Sequence, residues 1–159
     1  MKRNSIHLFA ALLLVAGALA GCKSSGIAVT PKGQVLEINI LHPKDLPNAG
    51  EDNLDIHIGN RGVRNIHDIL VEVQIPPELT VTDQTNDRGI NVMHDPGSNV
   101  YNFTIGNLNV AETTNLRFHV RTNWTATSTD ATVKATAWQR DLPGESDRVI
   151  QTAVIKVRQ

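Results

Sequence analysis

Histidine and aspartate side chains are the groups of this 159-residue sequence that could ligate a transition metal. His57 and His119 both occupy polar positions of an alternating apolar pattern, so both are expected to project from the outer faces of strands. If those strands are neighbours, the two imidazoles and Asp55 could bind a metal together. No two histidines have the i, i+2 or i, i+4 spacing of a preformed site. His57 and His119 therefore stay candidates only, ordinary solvated histidines are the expectation, and no cofactor is predicted.

Acidic residues near turns offer the hard oxygen ligands that calcium requires. They form two clusters, one of Glu51, Asp52 and Asp55 and the other of Asp83, Asp87 and Asp95. The second cluster departs from the helix-loop-helix calcium pattern, because Arg88 stands where that pattern needs glycine and His94 where it needs glutamate. Solvated turn residues are the expectation, and calcium or glycan binding is the alternative.

Covalent hydrolysis would need an activated nucleophile, and the serines show no sign of one. None of them lies in the Gly-x-Ser-x-Gly setting of a nucleophile elbow. No acidic residue has the recognisable setting of a glycosidase carboxylate pair either. The sequence therefore predicts a non-catalytic protein.

Two tryptophans are the side chains best suited to contact a partner protein. In the segment from Ala131 to Trp138, the inward set is Val133, Ala135 and Ala137, which places Trp138 on the opposite face. Trp124 lies between polar residues of a predicted loop. Exposed indoles either cover a sheet edge or act as interface hot spots, so Trp124 and Trp138 are candidate interaction residues.

Composition excludes several classes of partner and structure. The formal net charge is -1 and aromatic residues make up 4% of the chain, which argues against nucleic-acid binding. A single cysteine excludes a disulfide framework and any multi-cysteine zinc site.

That single cysteine, Cys22, lies at the end of an apolar segment near the N-terminus. Lys2 and Arg3 precede thirteen uncharged residues from Leu8 to Ala20, a run too short for the roughly 20 residues of a membrane-spanning helix. A positively charged N-terminal region, a short apolar segment and small residues at the end of that segment are typical of a secretory signal peptide.

The run ends in Leu19-Ala20-Gly21-Cys22, which resembles the lipobox of bacterial lipoproteins. The resemblance implies cleavage between Gly21 and Cys22, with acylation of the Cys22 thiol and of the new N-terminus. Two or three acyl chains hold a protein on a membrane far more firmly than one. Lys23 follows the cysteine where an inner-membrane retention signal has aspartate, so the resemblance favours the outer membrane of the bacterial envelope.

Removal of residues 1–21 also changes the charge balance. Because Lys2 and Arg3 are the only Lys or Arg residues removed, the basic side chains fall from 15 to 13 against 16 acidic ones, a net charge of -3. Residues 22–33 are interpreted as an acylated N-terminus and tether, and residues 34–159 as one folded domain.

The folded domain shows a periodicity of two. Apolar residues recur at every second position in Leu36–Ile40, Leu54–Ile58, Ile69–Ile75, Tyr101–Ile105, Leu116–Val120 and Val133–Ala137. A final run, Val149–Val157, is predicted as the last strand. The segments Leu79–Thr82 and Ile90–Met93 are predicted to form shorter strands. Turn residues separate the segments, and none has a helical stripe. The pattern predicts an all-β antiparallel sandwich of about seven to nine strands.

Several segments occur in an order that resembles the bacterial conserved-repeat family called domain of unknown function eleven. Leu54–Gly62 is similar to its strand followed by Asn-x-Gly, and Pro76-Pro77-Glu78-Leu79 to its Pro-x-x-Leu. Tyr101–Leu108 is similar to its aromatic-x-Ile-Gly-x-Leu strand. The resemblance implies an immunoglobulin-like fold and a non-catalytic surface or envelope module whose ligands are mostly unknown. The predicted role is that of a protein-interaction or structural module with an envelope or surface protein as partner. It covers one copy, whereas the family commonly has tandem copies.

Overall fold

The computed structural model describes residues 24–30, 35–140 and 148–159, and every regular element in these ranges is a β-strand. The strands are β1 (Ser25–Val29), β2 (Leu36–Pro43), β3 (Asp45–Pro47), β4 (Glu51–Asn60), β5 (Ile66–Gln74), β6 (Leu79–Asn86), β7 (Val92–Asp95), β8 (Val100–Leu108), β9 (Thr113–Thr122), β10 (Thr129–Gln139) and β11 (Val149–Arg158). The predicted signal peptide, with Gly21 and Cys22, lies outside the described residues.

The strands form two sheets. The five-stranded sheet has the order β1-β2-β4-β9-β6, and the six-stranded sheet has the order β3-β11-β10-β5-β8-β7. All pairings are antiparallel except that of β3 with β11, which is parallel. The predicted fold class, an all-β sandwich with an immunoglobulin-like arrangement, is therefore confirmed.

Alternation explains why the two sheets pack face to face. Strands of both sheets bury every second residue, as in β9, where Leu116, Phe118 and Val120 are fully buried. The ring of Phe118 lies edge-on to that of Phe103 across the sandwich, with centroids 5.9 Å apart. Such perpendicular pairs add to the stabilisation that burial of the rings already provides.

All nine predicted strands form, and two strands are additional. Part of the predicted tether is β1, which pairs with β2 from Ser25 opposite Pro43 to Val29 opposite Asn39. The alternation of β1 is reversed, since its inward positions are small residues and its outward ones, Ile27 and Val29, are apolar and exposed. A search for large apolar residues at every second, inward-facing position does not predict such a strand. The other addition, β3, has three residues, too few for any periodicity.

Asn60 closes the end of the sandwich where β4 finishes. It is 2% exposed, and its side-chain NH2 group donates to the carbonyl oxygens of Arg64, Leu108 and Asn109 at 2.8–3.1 Å. Its Oδ1 atom accepts a hydrogen bond from the Gly62 amide at 2.8 Å. The Asn-x-Gly element thus joins the β4–β5 turn to the end of β8.

No helix of the length and hydrophobicity needed to cross a bilayer occurs among the described residues.

Candidate functional site

The outer face of the six-stranded sheet carries apolar side chains at its middle. Trp138 of β10 stands opposite Leu70 of β5, and Leu70 stands opposite Thr104 of β8. On the sheet edge, Met93 of β7 is 67% exposed and stands opposite Asn102. Leu70, Met93 and Trp138 form what we call the Trp138 patch.

The Trp138 patch lines a shallow groove. The groove has a volume of about 200 Å³, and Asn102, Thr104 and Arg140 complete its outer walls. The guanidinium carbon of Arg148 lies 5.0 Å from the centroid of the Trp138 ring, within reach of a cation–π contact. Apolar side chains at the centre with amide, hydroxyl and guanidinium groups around them are the composition of a small protein-binding surface.

The outer face of the five-stranded sheet is charged instead. Arg117 of β9 makes a two-pronged ion pair with Asp55 of β4, with N–O distances of 2.6 and 3.0 Å. The pair raises the pKa of the Arg117 guanidinium above its usual value, chiefly through the hydrogen bonds to Asp55. Beside them, His119 lies 3.0 Å from the side-chain oxygen of Asn53 and 3.4 Å from that of Glu51.

The structure does not bring the two candidate metal-binding histidines together. They do lie on neighbouring strands, but His57 stands opposite Asn115 while His119 stands opposite Asn53. Four residues of extended strand, about 13 Å, separate their positions. The Asp55–Arg117 ion pair lies in the intervening register position. In the described ranges, no three His, Cys, Asp or Glu residues are placed to hold a metal.

The second acidic cluster, suggested for calcium, is spread over two sheets. Asp83 lies on β6 of the five-stranded sheet and Asp95 on β7 of the six-stranded sheet. Asp87 accepts hydrogen bonds from the Thr114 hydroxyl and the Asn115 amide. Asp87 and Asp95 hold separate turns, Asp83 lies within a strand, and in the described ranges the three do not form a group that could hold a metal ion.

Asp95 shows what one such carboxylate does. It accepts hydrogen bonds from the Ser98 hydroxyl and the Gly97 amide in the turn from β7 to β8. These bonds, the Ser98 bond foremost, lower the pKa of the Asp95 carboxyl. A carboxylate used in this way fixes a turn.

The two tryptophans differ in setting. Trp124 is 77% exposed in the connection between β9 and β10, whereas Trp138 is half-buried on the sheet face. Trp138 lines a groove together with its apolar neighbours Leu70 and Met93.

Sequence reasoning missed Leu70 and Met93, the other two members of the patch. The sequence does indicate an outward apolar residue at Leu70. Three apolar residues follow one another from Ile69 to Val71, and in a strand the middle one faces the opposite side from its neighbours. No comparable signal exists for Met93, since its place beside the groove depends on the pairing of β7 with β8.

Comparisons with known proteins extend these observations at the level of the fold. No protein-family model matches the chain, and no curated protein matches it. Among solved structures, the RrgA Jo.In complex has a TM-score of 0.53 at 12% identity, covering 70% of this chain and 73% of that one. The cohesin–dockerin complex Coh-OlpC-Doc435 of Clostridium thermocellum has a TM-score of 0.51 at 7% identity, covering 72% and 89%.

A further similar structure is that of AvmM, which catalyses a macrocyclisation in alchivemycin A biosynthesis. Its TM-score is 0.50 at 12% identity, covering 83% of this chain and 95% of that one. The described part of the chain is thus a two-sheet β-sandwich of a type found both in protein-binding modules and in a catalyst.

Proposed function

We propose that this protein is a non-catalytic, lipid-anchored module of the bacterial envelope that binds a partner protein through the Trp138 patch. The observation that carries the proposal is the groove formed by Trp138, Leu70 and Met93 on the outer face of the six-stranded sheet. The outer face of a sandwich sheet is ordinarily polar, so a tryptophan-centred groove there calls for a contact that removes it from water.

The chemistry of the patch suits a protein surface. Trp, Met and Arg are enriched in protein interfaces, and a half-buried indole can bind a partner side chain at little cost in conformational entropy. Arg140 lines the groove, where it can donate hydrogen bonds around an apolar centre, and Arg148 lies over the Trp138 ring. The cohesin–dockerin complex is consistent with such a role for a sandwich of this kind.

The lipid anchor is the second part of the proposal. It rests on the lipobox-like Leu19-Ala20-Gly21-Cys22 and on the charged start and short apolar run before it. An acylated Cys22 would keep the sandwich at a membrane surface, with Lys23 favouring the outer membrane.

Site-specific photocrosslinking in intact cells tests the binding surface. A photoreactive phenylalanine analogue replaces Thr104, which is exposed beside the patch, and in a separate strain replaces Trp124. We expect a discrete crosslinked product from position 104 and a different pattern from position 124. The product should weaken strongly in a Trp138→Ala background, because truncating an interface tryptophan typically costs about 2 kcal/mol or more, roughly 30-fold in affinity.

A matched control is Trp124→Ala, which removes the other tryptophan and should leave the product from position 104 unchanged. Absence of any discrete product from position 104, or equal loss of the product in both tryptophan variants, would refute the proposed surface.

A further inference from the structure

Trp124 is an exposed aromatic side chain that the Trp138 patch does not include. Its side chain is 77% exposed in the connection between β9 and β10, and no other exposed apolar side chain of the described residues is as large. Indoles combine an apolar ring with one N–H donor, so they suit surfaces that are apolar on one side and wet on the other.

The backbone on both sides of Trp124 is held in place. Before it, the Asn123 side-chain NH2 group donates to the Pro77 carbonyl oxygen at 2.6 Å. After it, the Thr125 amide donates to the side-chain oxygen of Asn48 at 3.1 Å, and the Asn48 NH2 group donates to the Thr125 carbonyl oxygen at 3.0 Å. The connection therefore presents the indole to solvent from a fixed backbone.

Strand directions show at which end of the sandwich Trp124 lies. The neighbours β1, β2, β4 and β9 are antiparallel in turn, so β1 and β4 start at the end where β2 and β9 finish. Trp124 follows the last residue of β9 by two positions, and Cys22 precedes the first residue of β1 by three. We call this the Trp124 end; it is the end of the sheet nearest to Cys22 along the chain.

A second exposed apolar side chain lies near the Trp124 end. Ile27, the third residue of β1, is 64% exposed and stands opposite Leu41, which is 36% exposed. Edge strands ordinarily carry charged residues that discourage contact with other chains, and β1 has none. Two strands lie between β1 and β9, so Ile27 and the connection with Trp124 are about 14 Å apart across the sheet.

Charges at the Trp124 end have both signs. Lys44 follows β2, Arg121 is near the end of β9, and Glu51 starts β4, and all three are exposed. Apolar contact is therefore what distinguishes this end, and a surface that it meets need not be charged.

We propose that the Trp124 end rests on a lipid bilayer, with the Trp124 indole and the Ile27 side chain in the interfacial layer. This inference rests on the proposed lipid anchor, because acyl chains on Cys22 would bring this end of the sandwich to the bilayer. Tryptophan is enriched at membrane–water interfaces, and interfacial binding grows with the apolar area that enters the boundary between headgroups and acyl chains.

The Trp138 patch lies away from this contact. The strand β10 starts at the Trp124 end, and Trp138 is the last but one of its eleven residues, about 30 Å along the strand. Contact with lipid at the Trp124 end thus leaves the patch free for a protein.

The test uses the acylated protein, purified from membranes and reconstituted into phosphatidylcholine vesicles. The chain has two tryptophans, so Trp138→Phe leaves Trp124 as the sole indole and Trp124→Phe leaves Trp138. Bromine atoms on the lipid acyl chains quench indole fluorescence only at close range. We expect brominated lipid to remove most of the Trp124 fluorescence, with emission at a shorter wavelength than that of a hydrated indole, and to leave Trp138 unchanged.

Moving the indole tests the position of the contact. In a chain with both Trp124→Phe and Trp138→Phe, Ile27→Trp should also be quenched by brominated lipid. Ile150→Trp is the matched control, because Ile150 is 50% exposed and stands opposite Thr136 of β10, toward the other end of the sandwich. This variant should not be quenched.

Three results would overturn the inference: no quenching of Trp124, equal quenching of Trp124 and Trp138, or equal quenching at positions 27 and 150. Emission of Trp124 at short wavelength without quenching by brominated lipid would mean that protein, such as a second copy of this chain, covers the indole. That result would overturn the inference as well.

Failure of this inference is distinguishable from failure of the proposed anchor. Mass spectrometry reports acylation of Cys22, and flotation reports attachment of the protein to the vesicles. An acylated protein that floats with the vesicles while Trp124 stays unquenched would keep the anchor and overturn the lipid contact. An unacylated Cys22 would overturn both.

Discussion

At the scale of single residues, Asn60 shows how much one amide can organise. Its side chain satisfies backbone groups of the β4–β5 connection and of the end of β8 with the connection that follows it, and it does so at a buried position. Both connections run from one sheet to the other. Leaving such groups without partners costs about 1–3 kcal/mol each.

We therefore expect Asn60→Ala to lower the free energy of unfolding by about 2–4 kcal/mol, since several buried backbone groups lose their partner at once. Chemical denaturation of the purified chain measures this. Asn91→Ala, at an exposed position, is the control and should change stability by less than about 0.5 kcal/mol. A similar small effect for both variants would contradict the role assigned to Asn60.

Burial of Tyr101 makes the free energy of unfolding depend on pH, and the sign of that dependence follows from the raised pKa of its phenol. Its phenol pKa is raised above the 10.0 of an unfolded chain, so the unfolded state loses the proton first as the pH rises. The stability contributed by neutral Tyr101 is complete below pH 10 and is lost as the pH rises through the raised pKa.

The difference in unfolding free energy between wild type and Tyr101→Phe should therefore change above pH 10, with the wild type losing stability more steeply. Ultraviolet absorbance of the sole tyrosine should show the phenol of the folded protein titrating above 10. Titration at or below 10 in the folded protein would show that burial does not act as described.

At the scale of elements, β1 depends on a close approach of two strands. Gly26 stands opposite His42, and a Cβ atom added at Gly26 would lie 2.5 Å from the His42 ring. The ring is held in place, with Nδ1 2.9 Å from the Pro43 carbonyl oxygen. Glycine is needed here for space.

We expect Gly26→Ala to destabilise the β1–β2 pairing by about 1–3 kcal/mol, the usual cost of overpacking. Hydrogen exchange of the β1 amides should accelerate, with the other strands little changed. Adding His42→Ala to Gly26→Ala removes the obstruction and should restore protection. If the double variant exchanges as fast as Gly26→Ala alone, the contact is not the cause.

The strands also show what could and could not be predicted from sequence. Wherever inward positions are large and apolar, as at Leu54, Ile56 and Ile58, alternation predicted both the strand and its buried face. It failed at β1, where glycine and alanine face inward, and at the three residues of β3, whose parallel partner β11 is more than a hundred residues away.

The candidate sites were predicted less well than the fold, for a related reason. The outward position of Trp138 follows from local alternation, but its neighbours Leu70 and Met93 come from other strands. Register and strand order place these groups, and neither can be read from local spacing.

At the scale of the whole molecule, the two outer faces differ in chemistry. One carries the Asp55–Arg117 ion pair and His119, and the other carries the Trp138 patch. Because the faces point in opposite directions, a contact on one leaves the other accessible.

The proposed lipid anchor would act on the molecule as a whole. We expect Cys22→Ser to move most of the protein from the membrane pellet to the soluble fraction, because without acyl chains nothing holds it to the bilayer. Ser24→Ala keeps the thiol and should stay in the membrane pellet. Mass spectrometry of the wild type should show an acylated Cys22 as first residue, and an intact, unmodified start would contradict the anchor.

The hydrogen bonds that hold the N-terminal strand β1 in its sheet limit the distance between the sandwich and a bilayer to which Cys22 would be anchored. The Ser24 carbonyl oxygen accepts a hydrogen bond from the Lys44 amide at 2.9 Å. The hydrogen-bonded sandwich therefore starts two residues after Cys22. Two residues reach about 7 Å at most, which is comparable to the thickness of one layer of lipid headgroups. A molecule fastened there could not rotate freely above the surface, and a visiting protein would meet it in one restricted orientation.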